Sequence, residues 1–133
     1  MAQRKHIQGM SGENAGAEGI ALTRLRDCLR DFAAARNWNQ FHSPKNLAIA
    51  LSVEAAELLE HFQWMSDKDP LTMSPEKRAR VDEEIADVFL YLIRLADMLN
   101  VDLIQAADRK IATNARKYPV EKARGTAKKY TEL

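Results

Sequence analysis

Leu51–Trp64 reads LSVEAAELLEHFQW, and Glu83–Leu92 reads EEIADVFLYL. Both stretches are dominated by Ala, Leu and Glu, residues that lose little conformational freedom in a helix. Neither contains Gly or Pro. The five glycines stand at Gly9, Gly12, Gly16, Gly19 and Gly125, leaving none between Ile20 and Arg124. Tight hairpins and phosphate-cradling loops depend on positive φ angles that Gly supplies. Their absence argues against β structure, a P-loop and a dinucleotide-binding turn together. The fold class expected is all-α.

Working outward, the punctuation predicts four helices. Helix one is expected from Ile20 to Arg36, stopped by Asn37, which tolerates the left-handed conformation. Trp38–His42 form an aromatic connector. Ser43-Pro44 is a cap followed by Pro at the first helical position, opening helix two as far as Trp64. Ser66–Met73 is the main loop. Ser74-Pro75 repeats the cap and opens helix three, to Leu99, with Asn100 as its break. Helix four spans Asp102 to Lys117 and ends at Tyr118-Pro119. Met1–Gly19 is expected to be disordered, residues 20–119 to form the helical domain, and the basic tail Val120–Leu133 to be loosely ordered. The architecture expected is four-helix bundle-like and completed by oligomerisation, because charged inner borders bury more comfortably against a partner.

Composition bounds the function. The chain has 133 residues, a net charge of +1 and 46% hydrophobic residues, enough for one domain with a core. Near-neutral charge removes the global basic signal of a nucleic-acid binder. No apolar run approaches the ~18 residues of a membrane span, and Met1–Gly19 lacks the apolar stretch of a signal peptide. Cys28 stands alone and cannot form an intrachain disulfide. A cytoplasmic location is expected, with no membrane partner.

Acidic residues carry the chemistry. At about 100° per residue, Leu47, Ala50, Leu51, Ala55, Leu58, Phe62 and Met65 share one sector of helix two. Glu54 falls inside that sector and Glu57 at its border, with His61 between them in angle, whereas Glu60 faces the opposite way. A carboxylate directed into a core must be neutralised, paired or bound to a metal. On helix three, Val81, Ile85, Val88, Leu92, Leu95 and Leu99 define the apolar stripe, Glu84 and Tyr91 flank it, and Asp87 lies further round. Glu54/Glu57 and Glu84/Asp87 both have the i,i+3 spacing that shares a helix face. Antiparallel packing would bring four carboxylates together. Such an oxygen-only set suits Mg²⁺, or Mn²⁺, over softer metals. The di-iron alternative needs Glu-x-x-His on two helices, and Glu57 to His61 is i,i+4. The competing structural reading is that these acids pair with Arg and Lys across helices.

With these residues in view, the chain resembles the all-α MazG-like nucleoside triphosphate pyrophosphohydrolases, and more narrowly their dCTP pyrophosphatase branch. Besides the two acidic stretches, the likeness takes in FAAARNWNQFHSPKNL (Phe32–Leu47), TNARKYPV and ARGTAKKYTEL. The resemblance implies Mg²⁺ held by Glu54, Glu57, Glu84 and Asp87, and hydrolysis between the α and β phosphates. It also implies a homo-oligomer, dimer or tetramer. Many relatives begin the first motif with a second Glu, where this chain has Val53. The dCTP branch lacks that acid too, which points away from broad substrate use. Glu83 is placed to accept a proton or to support the ligands, and spacing does not separate the two.

Lys110 and Asn114 lie i,i+4 on helix four and match the resembling segment as phosphate partners, ahead of Arg116 and Lys117. Trp38, Phe41 and His42 cluster before helix two as a platform for a base, with His42 able to hydrogen-bond its edge. Trp64 and Tyr91 are further candidates by position and resemblance, and Tyr118 can close over the substrate. Two rival functions remain at this level. One is a non-catalytic helical dimerisation or regulatory module. The other is nucleic-acid binding by the tail's Lys122, Arg124, Lys128 and Lys129, disfavoured by the near-zero net charge and the acidic inner face.

Overall fold

A computed structural model describes residues 12–66 and 73–133. The order is α1 (Gly12–Ala35), a 3₁₀ turn (Asn39–Phe41), α2 (Pro44–Glu60), α3 (Pro75–Met98), α4 (Leu103–Lys117), α5 (Val120–Ala123) and a 3₁₀ turn at Tyr130–Glu132. The described residues contain no strand, and the fold is all-α.

The punctuation acts as its chemistry dictates. Ser43 Oγ accepts from the amide of Asn46, and Ser74 Oγ from that of Lys77, each followed by Pro in the first turn. Asp102 caps α4 through the amide of Gln105. Asn37 and Asn100 adopt φ of 54° and 55°, so both helix stops use the left-handed conformation that Asn tolerates.

Three boundaries differ from expectation. Helix one begins at Gly12 rather than Ile20, so residues 12–19 are helical where disorder over Met1–Gly19 was expected; residues 1–11 lie outside the described residues. A formed helix propagates at little cost per residue, and a side chain at Gly16 or Gly19 would meet nothing within 4 Å, so neither glycine is there for close packing. Helix two ends at Glu60, short of Trp64. Beyond it the amides of Phe62 and Met65 bond to the carbonyls of Leu59 and Phe62, a tighter i−3 pattern, and Trp64 is 89% exposed, so no packing draws it into the helix. The tail carries α5 and the terminal 3₁₀ turn rather than being loosely ordered: Tyr130 packs edge-on to Tyr118 at 6.0 Å, and Lys117 Nζ sits 4.7 Å from the Tyr130 ring centroid. Of the expected loop Ser66–Met73, residues 67–72 lie outside the described residues.

The chain divides into two compact units, one ending at Asn100 and one from Val101 to Leu133. In the first, α3 packs along α2 and also against α1. Lys77 reaches the Met65 sulfur, whereas Arg94 reaches His42; α2 and α3 therefore run antiparallel. Ala33, Leu47, Val81, Ile93 and Ala96 are buried. The expected stripe on helix three is corrected by rotation: Ile85 (51% exposed), Leu92 and Leu99 face outward, while Val81, Glu84, Val88, Tyr91 and Leu95 occupy the more buried side. Three helices leave α3 two faces to fill, and Ile93, Arg94, Ala96 and Asp97 provide the second. In the second unit, α4 ends in Arg116 and Lys117, cations that suit a helix C-terminus.

A charge network ties α1 to α3. Arg30 grips Asp97 with two nitrogens, Nε to Oδ2 being 2.8 Å, and Arg94 Nη1 reaches the same Oδ2 at 3.3 Å. The hydrogen bond from Arg30 holds the Asp97 carboxyl below its usual range against the opposing effect of burial, aided by the charges of Arg30, Arg94 and Arg26. Because the folded value is depressed, the stabilisation is complete above the unfolded value of ~3.9 and is lost as pH falls through the lower folded value. Asp97→Asn is expected to destabilise the fold at neutral pH by on the order of 1–3 kcal/mol. Urea unfolding across about pH 2–7 should show the acid-side loss of stability flattened in that variant.

Candidate active site

The i,i+3 spacing of the acids and the antiparallel seam produce one cluster. A carboxylate oxygen from each of Glu54, Glu84 and Asp87 lies within 4.8 Å of the others. Glu54 and Glu84 are half-buried and Asp87 is exposed. Glu57, exposed one turn along α2, hydrogen-bonds to Glu54. Among the described residues none of the four pairs with an Arg or Lys, and Glu84 Oε2 is buried with no hydrogen-bond partner. Burial raises the Glu54 carboxyl above its ordinary range. The hydrogen bond to Glu57 and the negative charges of Glu57, Asp87 and Glu84 raise it further.

This donor set fits a hard divalent cation: it is all oxygen, and among the described residues its negative charges lack a counter-charge and one buried oxygen lacks a donor. Glu60 and Glu83 are exposed on their helices.

The aromatic connector forms a second feature. Arg36 lies 3.5 Å above the Phe32 ring centroid, Phe32 meets Trp38 edge-on at 5.6 Å, and Trp38 meets His42 at 6.3 Å. Trp38 keeps 43% of its surface and Phe41 58%. His42 is half-buried and accepts a hydrogen bond at Nδ1 from Arg94 Nε, at 3.1 Å. Burial and then the Arg94 charge lower its pKa, favouring the neutral ring. Tyr91 is half-buried on α3, one turn beyond Asp87, and Trp64 stands in solvent after α2. Lys110 and Asn114 are exposed on α4; the Asn114 carbonyl accepts from the Tyr118 amide. They belong to the second unit with Tyr118.

Reasoning from acids alone missed Arg94, which is 6% exposed and donates to Asn39 Oδ1 at 2.7 Å as well as to His42 and Asp97. The available signal was an Arg inside the apolar run Phe89–Ala96.

Known proteins resemble this chain over most of its length. The chain is 43% identical to dCTP pyrophosphatase 1 of Bos taurus, over 99% of this chain and 83% of the relative. It is 46% identical to dCTP pyrophosphatase 1 of Homo sapiens, over 92% and 77%. The crystal structure of a pyrophosphatase from Archaeoglobus fulgidus is similar with a TM-score of 0.63 at 42% identity, covering 74% of this chain and 93% of that one. The sequence model of the MazG-like family matches residues 49–133, which include Glu54, Glu57, Glu84 and Asp87. On this match and these identities, the chain belongs to the MazG-like family.

Proposed function

We propose that the protein is a nucleoside triphosphate pyrophosphohydrolase that cleaves dCTP, or a base-modified dCTP, between the α and β phosphates. The products are the nucleoside monophosphate and pyrophosphate, and the role is to clear or rebalance nucleotides in the cytoplasm. The observation that carries this reading is the set of Glu54, Glu84 and Asp87 oxygens within 4.8 Å of one another, with no ion pair to a cationic side chain among the described residues. The relatives named dCTP pyrophosphatase 1 support the substrate.

Glu54, Glu57, Glu84 and Asp87 would hold Mg²⁺, or Mn²⁺. When bound, the cation would neutralise phosphate charge and polarise the anhydride. Glu83 is assigned to accept a proton or to keep the ligand carboxylates in place. Trp38 offers an exposed π-face for the base, a contact of roughly 1–3 kcal/mol, with His42, Tyr91 and Trp64 as further contacts. Lys110, Asn114 and Tyr118 are assigned to substrate on the resemblance of their segments alone.

We also propose a homo-oligomer, a dimer or a tetramer. Ile85, Phe89 and Leu92 lie on one face of α3, and Ile49 and Val53 on α2, all between 39% and 53% exposed. Exposed apolar rows of this kind mark association surfaces. Phe89→Asp is expected to lower the mass seen by light scattering to that of a smaller assembly; an unchanged mass would move the interface elsewhere.

Incubation with Mg²⁺ and dCTP should yield dCMP and pyrophosphate, and release of orthophosphate instead would overturn the reading. Glu54→Gln and Glu84→Gln should each lower kcat by roughly 10²-fold or more. The same substitutions should leave the metal-free melting temperature level or raised, since each removes a like charge from the cluster. Absence of turnover, together with no stabilisation by Mg²⁺ plus nucleotide, would favour the non-catalytic helical module.

A further inference from the structure

Arg94 is a buried charge whose bonds lead out of its own helix. Nη1 turns to Asp97, but Nη2 reaches Asn39 Oδ1 at 2.7 Å and Nε reaches His42 Nδ1 at 3.1 Å. Asn39 and His42 bracket the 3₁₀ turn that follows Trp38. A single guanidinium, itself anchored through Asp97 to Arg30 on α1, therefore fastens both ends of that turn to α3. The fork geometry of Arg suits this, since its donors lie in one plane at fixed angles.

We infer that Arg94 is a positioning residue for the base pocket: it pins the Trp38–His42 connector to α3 and fixes His42 as an Nε2–H donor. This rests on the proposed role of Trp38 and His42 in binding the base. The tautomer follows from donor bookkeeping. Guanidinium nitrogens only donate, so Nδ1 of His42 must carry the lone pair and the ring proton must reside on Nε2. Burial and the adjacent positive charge both oppose a second proton. An Nε2–H can satisfy only an acceptor. A cytosine-type edge, with its O2 and unprotonated N3, supplies acceptors, whereas uracil and thymine carry a proton at N3. Uracil and thymine still offer O2 and O4, so this neutral donor would favour cytosine only where it meets N3; there Arg94 would act on selectivity without touching the substrate.

The test uses Arg94→Met and Asn39→Ala in the full chain, with Trp38→Ala alongside. Arg94→Met is expected to raise KM for dCTP about tenfold, with kcat falling less, because the lost term is binding rather than chemistry. Asn39→Ala removes an exposed acceptor while Arg94 stays in place, and should raise KM in the same direction by a smaller factor. Long-range ¹H–¹⁵N NMR of the imidazole should show the Nε2–H tautomer for His42 in the parent protein and a tautomer mixture or protonated ring in Arg94→Met. If Arg94→Met does not fold, Asn39→Ala and the parent spectrum still decide. An Nδ1–H tautomer in the parent, or unchanged KM in the Arg94 and Asn39 variants while Trp38→Ala raises it, overturns the positioning role alone. Unchanged KM in all three removes the base pocket on which it rests.

Discussion

Repulsion among carboxylates at the α2–α3 seam is the constraint around which the molecule is arranged. Two unit charges about 4 Å apart repel by ~1 kcal/mol in bulk water and by several times that beside a protein surface. Glu54, Glu84 and Asp87 accept this penalty with no Arg or Lys of the described residues brought in to cancel it. Burial first, and then the hydrogen bond to Glu57 and the neighbouring negative charges, raise the Glu54 pKa. A fold selected only for stability would pair these acids or turn them outward, as it does Glu60 and Glu83. Left unpaired, the cluster keeps its oxygens open to the cation proposed for it.

The other end of the seam solves the opposite problem. Arg94 is more deeply buried than any of the acids, and a lone buried cation would be costly. It is fully engaged instead, by Asp97, Asn39 and His42, and Asp97 is in turn held by Arg30. One helix thus carries an electrostatically open site near its middle and a closed one near its C-terminus. The open site is where chemistry is proposed; the closed one fixes the shape of the segment beside it.

How far this was legible in the sequence differs by element. Ser43-Pro44, Ser74-Pro75, Asn37 and Asn100 act locally, through one hydrogen bond or one left-handed residue, so their positions and roles followed from sequence. The convergence of Glu54 with Glu84 and Asp87 was also readable, because i,i+3 spacing and an antiparallel turn suffice to place them. The rotation of α3 was not. Ile85 and Leu92 look like core residues to any periodicity argument, since an apolar row facing solvent in one chain and an apolar row facing a core have the same spacing. The early end of α2 at Glu60 was hidden for a related reason: Phe62 and Trp64 continue the apolar pattern, yet Phe62 is only partly covered and Trp64 is 89% exposed. Arg94 was passed over because long basic side chains commonly reach solvent from apolar surroundings; only the coordinates reveal that Asn39 and His42 meet it first.

These points join along α3. Asp87 and Arg94 are separated by seven residues, about 10 Å of helix rise, with Tyr91 between them on the same side. Acids at one station and the connector's anchor at the other set a fixed distance between the proposed phosphate and base positions, independent of loop conformation. That distance is only as rigid as the helix, and the first unit alone gives α3 a thin core of Ala33, Leu47, Val81, Ile93 and Ala96 among the described residues. Ile85, Phe89 and Leu92, exposed on one face of α3, offer the missing burial. In the oligomer proposed here, covering that row would stabilise the same helix that carboxylate repulsion strains, so association and cation binding would both favour the one arrangement in which the acids meet.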